Sequence, residues 1–254
     1  MRGPVRFAVV LATALGCADD PRLAPLAERG AELASDPRVT RSQYNAYACV
    51  TCHAVTAAAQ GTLVLPGAPL RGAARRPSFW GGEVVQLREA VERCWVNFMR
   101  GVPEDLDGPN GRAIDAWLLS LAPEGSEEGT GAVRLSWPRT VRDLGLGDRT
   151  RGQRVWSRAC ARCHGAIGTG AGRISPAASV IPLDTIQQHC GRDFMSVGYT
   201  NIQAYLRASV TEKTRHGSFQ GYAGVMPPFA TEVLSDDEMR DLTAFFECPP
   251  SAQP

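Results

Sequence analysis

Two five-residue stretches carry most of the chemistry in this sequence: Cys49-Val50-Thr51-Cys52-His53 and Cys160-Ala161-Arg162-Cys163-His164. Two cysteines three positions apart at a helix start suit their sulfurs to the two vinyl groups of one haem, as thioethers. The histidine that follows points its imidazole at the iron from one side. The pattern therefore predicts two covalently bound haem c groups. Cys49, Cys52, Cys160 and Cys163 are the attachment residues, and His53 and His164 are the proximal ligands.

Other chemistries fit this spacing less well. A redox dithiol of the thioredoxin kind sits in a βαβ pattern, and none surrounds either motif. Paired cysteines that hold one zinc lie about 15–20 residues apart, whereas more than a hundred residues separate these pairs. The chain has 4 histidines, and two of them directly follow the Cys-x-x-Cys pairs. Zinc asks for no histidine there; haem does.

The motifs sit in two similar units, expected over 40–123 and 149–250. Each begins with a short helical stretch running into the motif and ends in an amphipathic helix. In the first, Ile114, Trp117, Leu118 and Leu121 share one helical face, and Pro123 stops the helix. In the second, Ser235-Asp236-Asp237-Glu238 reads as a capping box. Met239, Leu242 and Phe246 follow on one face, before Pro249 and Pro250. Between the units, 124–148 is expected to be a linker, opening on a small, acidic stretch at 124–131. Residues 18–39, with three prolines and little pattern, are expected to be a tether or N-terminal arm.

The two units resemble the class I cytochrome c family. Gly152, Val155 and Trp156 ahead of Cys160 match the family's N-terminal helix, and His164-Gly165 is its usual continuation. The resemblance implies a mainly α protein: two tandem cytochrome c-like helical domains joined by a linker, each wrapped around one haem.

The remaining axial position sets potential and reactivity. Gly224-Val225-Met226-Pro227-Pro228-Phe229 resembles the family's distal loop, which implies Met226 as the distal ligand of the second haem. The rivals there are His189 and His216. The first unit has no Met-Pro. Its helix-like segment 90–101 offers Cys94 and Met99, and both stay open. That segment resembles the first haem domain of dihaem thiosulfate dehydrogenases, in which a cysteine of a similar helix ligates iron. A methionine would give a higher, carrier-like potential; a thiolate would lower it.

The other cysteines fit export. Arg2 and Arg6 precede an apolar run, Phe7 to Leu15, too short to span a bilayer. It ends at Ala14-Leu15-Gly16-Cys17, so 1–17 reads as an export signal, with Cys17 a candidate lipidated residue of a bacterial lipoprotein. Ordinary cleavage after Ala14 or Ala18 is the rival. The mature protein is then periplasmic or membrane-anchored. Cys190 and Cys248 could form a disulfide, which export permits; Cys94 would be left over.

Composition excludes little else. The chain has 254 residues, 44% hydrophobic and 21% charged, with net charge +1, which gives no sign of a nucleic-acid partner. No acid, base or anion-binding constellation stands out, so no catalytic residue is assigned. Arg71, Arg75, Arg76, Arg93 and Arg100 could form a basic mouth near the first haem, or be solvated surface charges. The functional expectation is electron transfer between redox partner proteins outside the cytoplasm. The alternatives are a dihaem oxidoreductase, thiosulfate dehydrogenase-like or peroxidase-like, with its chemistry at the first haem, and a haem-based redox sensor.

Overall fold

The computed structural model describes residues 23–56, 62–122, 133–193, 195–217 and 224–250. The export signal, Cys17 and the acidic start of the linker lie outside the described residues. The described chain is helical, with one isolated bridge between Phe79 and Val84.

In the first unit, α1 (Leu23–Ser35) leads to α2 (Cys49–Cys52), then α3 (Leu87–Asn97) and α4 (Pro109–Ser120). Helix α4 starts with Pro109 in its first turn, where a missing N–H costs nothing. It buries Ala113, Ile114, Trp117 and Leu118 and leaves Leu119 exposed, the face expected from its spacing. It packs along α1. At that crossing a Cβ on Gly30 would run into the Ala113 carbonyl and the Trp117 side chain, so glycine lets the two helices touch.

Within the expected tether or N-terminal arm over 18–39, Leu23–Ser35 forms a helix whose Leu33 and Ala34 belong to the first core. Pro25 masked it in the sequence: proline breaks a helix interior but is tolerated in the first turn.

The second unit runs through α5 (Arg149–Val155), a π turn (Trp156–Cys160), α6 (Ala161–His164), α7 (Leu183–His189), α8 (Ile202–His216) and α9 (Asp236–Thr243). Asp148 caps α5 by accepting from the Arg151 amide. Ser235 and Glu238 close the expected capping box on α9. Helices α5 and α9 cross as α1 and α4 do. Gly152 plays the part of Gly30, since a Cβ there would strike the Asp241 carbonyl. Met239, Leu242 and Phe246 are all buried in the second core. Cys190 and Cys248 are joined by a disulfide that ties the end of α7 to the chain after α9.

Residues 133–148 are not a free linker. They have no helix or strand, yet they are fastened at several points. Leu144 packs on the second core, and Asp143 accepts two hydrogen bonds from Arg207, at 2.8 and 2.6 Å. The units also exchange residues. Val64, from the first, lies in the second core. Cys163, Ile174 and Val225, from the second, pack against the first core.

Candidate haem sites

Both Cys-x-x-Cys-His motifs present their histidine in the same way. His53 Nδ1 lies 2.7 Å from the carbonyl oxygen of Ala68, and His164 Nδ1 lies 2.9 Å from that of Ser179. In each case the partner is 15 residues downstream. A carbonyl only accepts, so Nδ1 carries the proton and Nε2 keeps its lone pair for a metal. Burial lowers the pKa of both imidazoles; the carbonyl contact opposes this, and at His53 the nearby Arg76 charge adds to it. Both rings are therefore held neutral, as ligation requires.

The loop after the first motif is shaped to the ring. The Gly67 amide donates to the Cys52 carbonyl at 2.9 Å. A Cβ on Gly67 would collide with three atoms of the His53 imidazole. In the second unit the Ile174 amide makes the matching bond to the Cys163 carbonyl, at 3.0 Å. There Trp156 donates from Nε1 to the Gly165 carbonyl, and its ring lies 5.9 Å from that of His164.

A cavity opens in front of His53. Cys49 and Cys52 line it on one side; Leu87, Val91, Cys94 and Met99 line it from α3 and the turn after it. Both candidate distal residues therefore line the same space as the proximal histidine. Met99 is 4% exposed and its carbonyl accepts from the Thr40 hydroxyl. Burial pushes the Cys94 thiol up to about 12, with a contribution from Cys49. A thiol so placed stays protonated unless a cation compensates the thiolate.

The cavity wall fits a haem in a second respect. It is mostly apolar, yet two buried donors on it, Arg76 Nε and Trp137 Nε1, have no hydrogen-bond partner among the described residues. A haem is an apolar ring with two carboxylates, which are acceptors only. Together with the two thiols and the imidazole, these donors match the group.

In the second unit Met226 is half-buried and packs on the core that also receives Cys160. Its loop is held by a residue the sequence did not single out. Arg215, wholly buried, donates to the carbonyls of Phe229, Ala230 and Leu234 and to the Asp236 carboxylate. The two rival histidines are engaged elsewhere. His216 Nε2 donates to the Pro138 carbonyl at 2.6 Å, and His189 lies edge-on to the Tyr205 ring.

The basic mouth does not assemble as a free cluster. Arg93 pairs with Glu83 and Glu89, and Arg100 donates to the Gly224 carbonyl. Of the five arginines, Arg76 lines the cavity.

The two motifs touch. Arg162, inside the second, donates to the carbonyl of Val50, inside the first, at 3.1 Å. Cys163 acts electrostatically on the Cys52 thiol and on the Tyr47 phenol, both pushed up chiefly by burial.

No curated protein matches the chain. Among solved structures it is similar to a thiosulfate dehydrogenase from Marichromatium purpuratum, with 21% identity and a TM-score of 0.43. That match covers 96% of this chain and 49% of the other, so the chain spans about half that structure's length. Residues 147–246 match the model of the family described as cytochrome c oxidase, cbb3-type, subunit III. Residues 147–246 are thus cytochrome c-like, which supports covalently bound haem c and a role in electron transfer or related redox chemistry.

Proposed function

We propose that the chain is a dihaem c-type cytochrome that passes electrons between redox partner proteins outside the cytoplasm. One observation carries this reading: the two attachment motifs lie in contact through Arg162 and Val50. A chain that anchors two redox groups and sets their anchors side by side suits transfer from one to the other.

Each haem, when bound, supplies a one-electron iron couple. The chain's own residues do the rest. Cys49, Cys52, Cys160 and Cys163 fix the rings by covalent bonds. His53 and His164 offer Nε2 to iron because Ala68 and Ser179 occupy the other nitrogen. Met226 is the proposed sixth ligand of the second haem; its soft thioether suits a low-spin carrier. The mostly apolar wall of the first cavity would keep water from a ring held there.

Haem counting tests this. The exported, matured protein should give two haems c per chain in a reduced pyridine spectrum. One haem per chain, or none, would end the dihaem reading. N-terminal mass analysis of the same material decides between lipid on Cys17 and free cleavage.

A second reading is favoured by one feature, the facing of both Cys94 and Met99 into the first cavity. A thiolate there would make the first haem a site of substrate chemistry and the second its electron relay. Electron paramagnetic resonance of Cys94→Ala and Met99→Ala variants tells which sulfur binds. An assay with thiosulfate or peroxide and an artificial electron partner then separates enzyme from carrier. Turnover that disappears in Cys94→Ala selects the enzyme; no turnover in the parent protein keeps the carrier.

A further inference from the structure

We propose that Arg100, beside Met99 in the first unit, is a positioning residue for Met226 in the second, so that the first unit completes the second haem's distal loop. This rests on the reading that Met226 is a ligand of the second haem.

The turn after α3 carries an arginine in a place that suits glycine. Arg100 has a φ of 55°, in the left-handed region, where a side chain crowds its own backbone. The turn is tied down around it. The Phe98 and Met99 amides donate to the Cys94 carbonyl, at 3.1 and 3.2 Å, and the Gly101 amide donates to the Trp95 carbonyl at 2.9 Å. The Met99 carbonyl accepts from the Thr40 hydroxyl. The glycine of the turn stands one position further on, where a Cβ would run into the buried Trp95 indole. Strained backbone of this kind persists only where the surroundings over-determine it, and it clusters at ligand clamps and switch segments. Here the strained residue reaches out of its own unit. The Arg100 guanidinium donates to the Gly224 carbonyl at 2.8 Å, 124 positions away in the chain.

Gly224 stands two residues before Met226, and the residues around Met226 meet the first unit. Val225 packs against the first core. Pro227 lines the first cavity, as Met99 does. The other end of the loop is held by the second unit. The Phe229 amide donates to the Thr214 carbonyl at 2.9 Å, next to the bonds from Arg215. The end of α8 also presses on the loop, since a Cβ on Gly217 would strike the Met226 carbonyl. Met226 thus lies between an anchor in its own unit and an anchor in the other. Methionine is unbranched, with three rotatable bonds, so the placing of its sulfur falls to the backbone on both sides.

The test is a redox titration of the matured protein, following each haem separately, together with the near-infrared-edge sulfur–iron band. The variants are Arg100→Gly, Arg100→Lys and Arg93→Ala. Arg100→Gly removes the guanidinium and suits the left-handed turn, so the backbone there is spared. Expected in it are a weaker band and a three- to tenfold fall in the reduction equilibrium of the second haem, up to about 59 mV for a one-electron couple. The fall follows because a thioether held less firmly raises the potential less. Arg100→Lys keeps a donor and should recover part of both. Arg93 pairs with Glu83 and Glu89 on the surface, and Arg93→Ala should move neither. A band and a second-haem potential that stay unmoved in Arg100→Gly overturn the proposal, even if stability falls. Equal changes in Arg93→Ala overturn it too, since they would reflect lost positive charge alone. A band that is absent from the parent protein, or left whole by Met226→Ala, overturns the reading beneath it instead. If Arg100→Gly fails to accumulate, Arg100→Asn, which also tolerates the left-handed turn, decides by the same two measurements.

Discussion

Arg162 of the second Cys-x-x-Cys donates a hydrogen bond to the carbonyl oxygen of Val50 in the first, at 3.1 Å. The neighbouring Arg158 makes a similar crossing: its Nε donates to the Thr62 carbonyl at 2.9 Å, and its own carbonyl accepts from the Val64 amide. The helix that carries the second motif is therefore stitched to the first unit. Arg162→Ala should cost about 1 kcal/mol, the worth of an ordinary hydrogen bond and less than that of a buried charged donor, because Arg162 is exposed. Urea unfolding checks this. Arg162→Gln, which keeps a donor, should recover part of the loss, and equal losses in both variants would show that the bond does not matter.

Gly67 decides whether His53 can stand where it does. A methyl group there would occupy the imidazole's place, and the ring is also pinned by the Ala68 carbonyl at 2.7 Å. Gly67→Ala should force the ring out and lose the axial bond of the first haem, while the second keeps its own. The visible spectrum would then show one low-spin and one high-spin haem. Two unchanged low-spin haems would mean that the loop gives way instead of the ring.

Arg215 should matter as much as the ligand it serves. Its guanidinium satisfies three loop carbonyls and one carboxylate from a fully buried position. Arg215→Met removes all four bonds and leaves buried carbonyls unmatched, so a loss of about 3 kcal/mol is expected. Met226→Ala should abolish the weak near-infrared-edge sulfur–iron band without such a loss. In Arg215→Met the band should weaken before the protein unfolds. A band of full strength up to global unfolding would show that the loop holds Met226 unaided.

The sequence made local features legible and long-range ones not. Ile114, Trp117 and Leu118 announce α4 by spacing alone, and Ser235 with Glu238 announces the start of α9, because both signals lie within a few turns. Helix α8 carries no such signal. Thr211, Thr214, Arg215 and His216 lie on its buried face, so its pattern of apolar residues is broken. The backbone carbonyls that orient His53 and His164 have no side-chain identity to notice. Trp137 sits in a stretch without secondary structure, and its ring meets Trp80, far off in the chain. Pairings across such distances are set by tertiary packing, which residue spacing does not encode.

Asp241 ties the two terminal helices of the second unit together, and its charge gives the fold a pH dependence. It is buried, and accepts from Arg151 at 2.6 and 3.0 Å and from the Asp148 amide at 2.8 Å. The hydrogen bond from Arg151, with the Asp148 amide, holds its carboxyl below the ordinary carboxylate range. In the unfolded chain the same group titrates near about 3.9. Above that value it is ionised in both states, and the folded state has the full benefit. As pH falls the unfolded chain binds the proton first, so the benefit shrinks from roughly pH 5 downward and is gone below the folded value. Asp241→Asn removes the charge at every pH. The stability gap between the parent protein and this variant should therefore be widest near neutrality and narrow steadily from pH 5 to pH 3. Urea unfolding across that range measures it, and a gap of constant width would show that the side chain acts through its shape and not its charge.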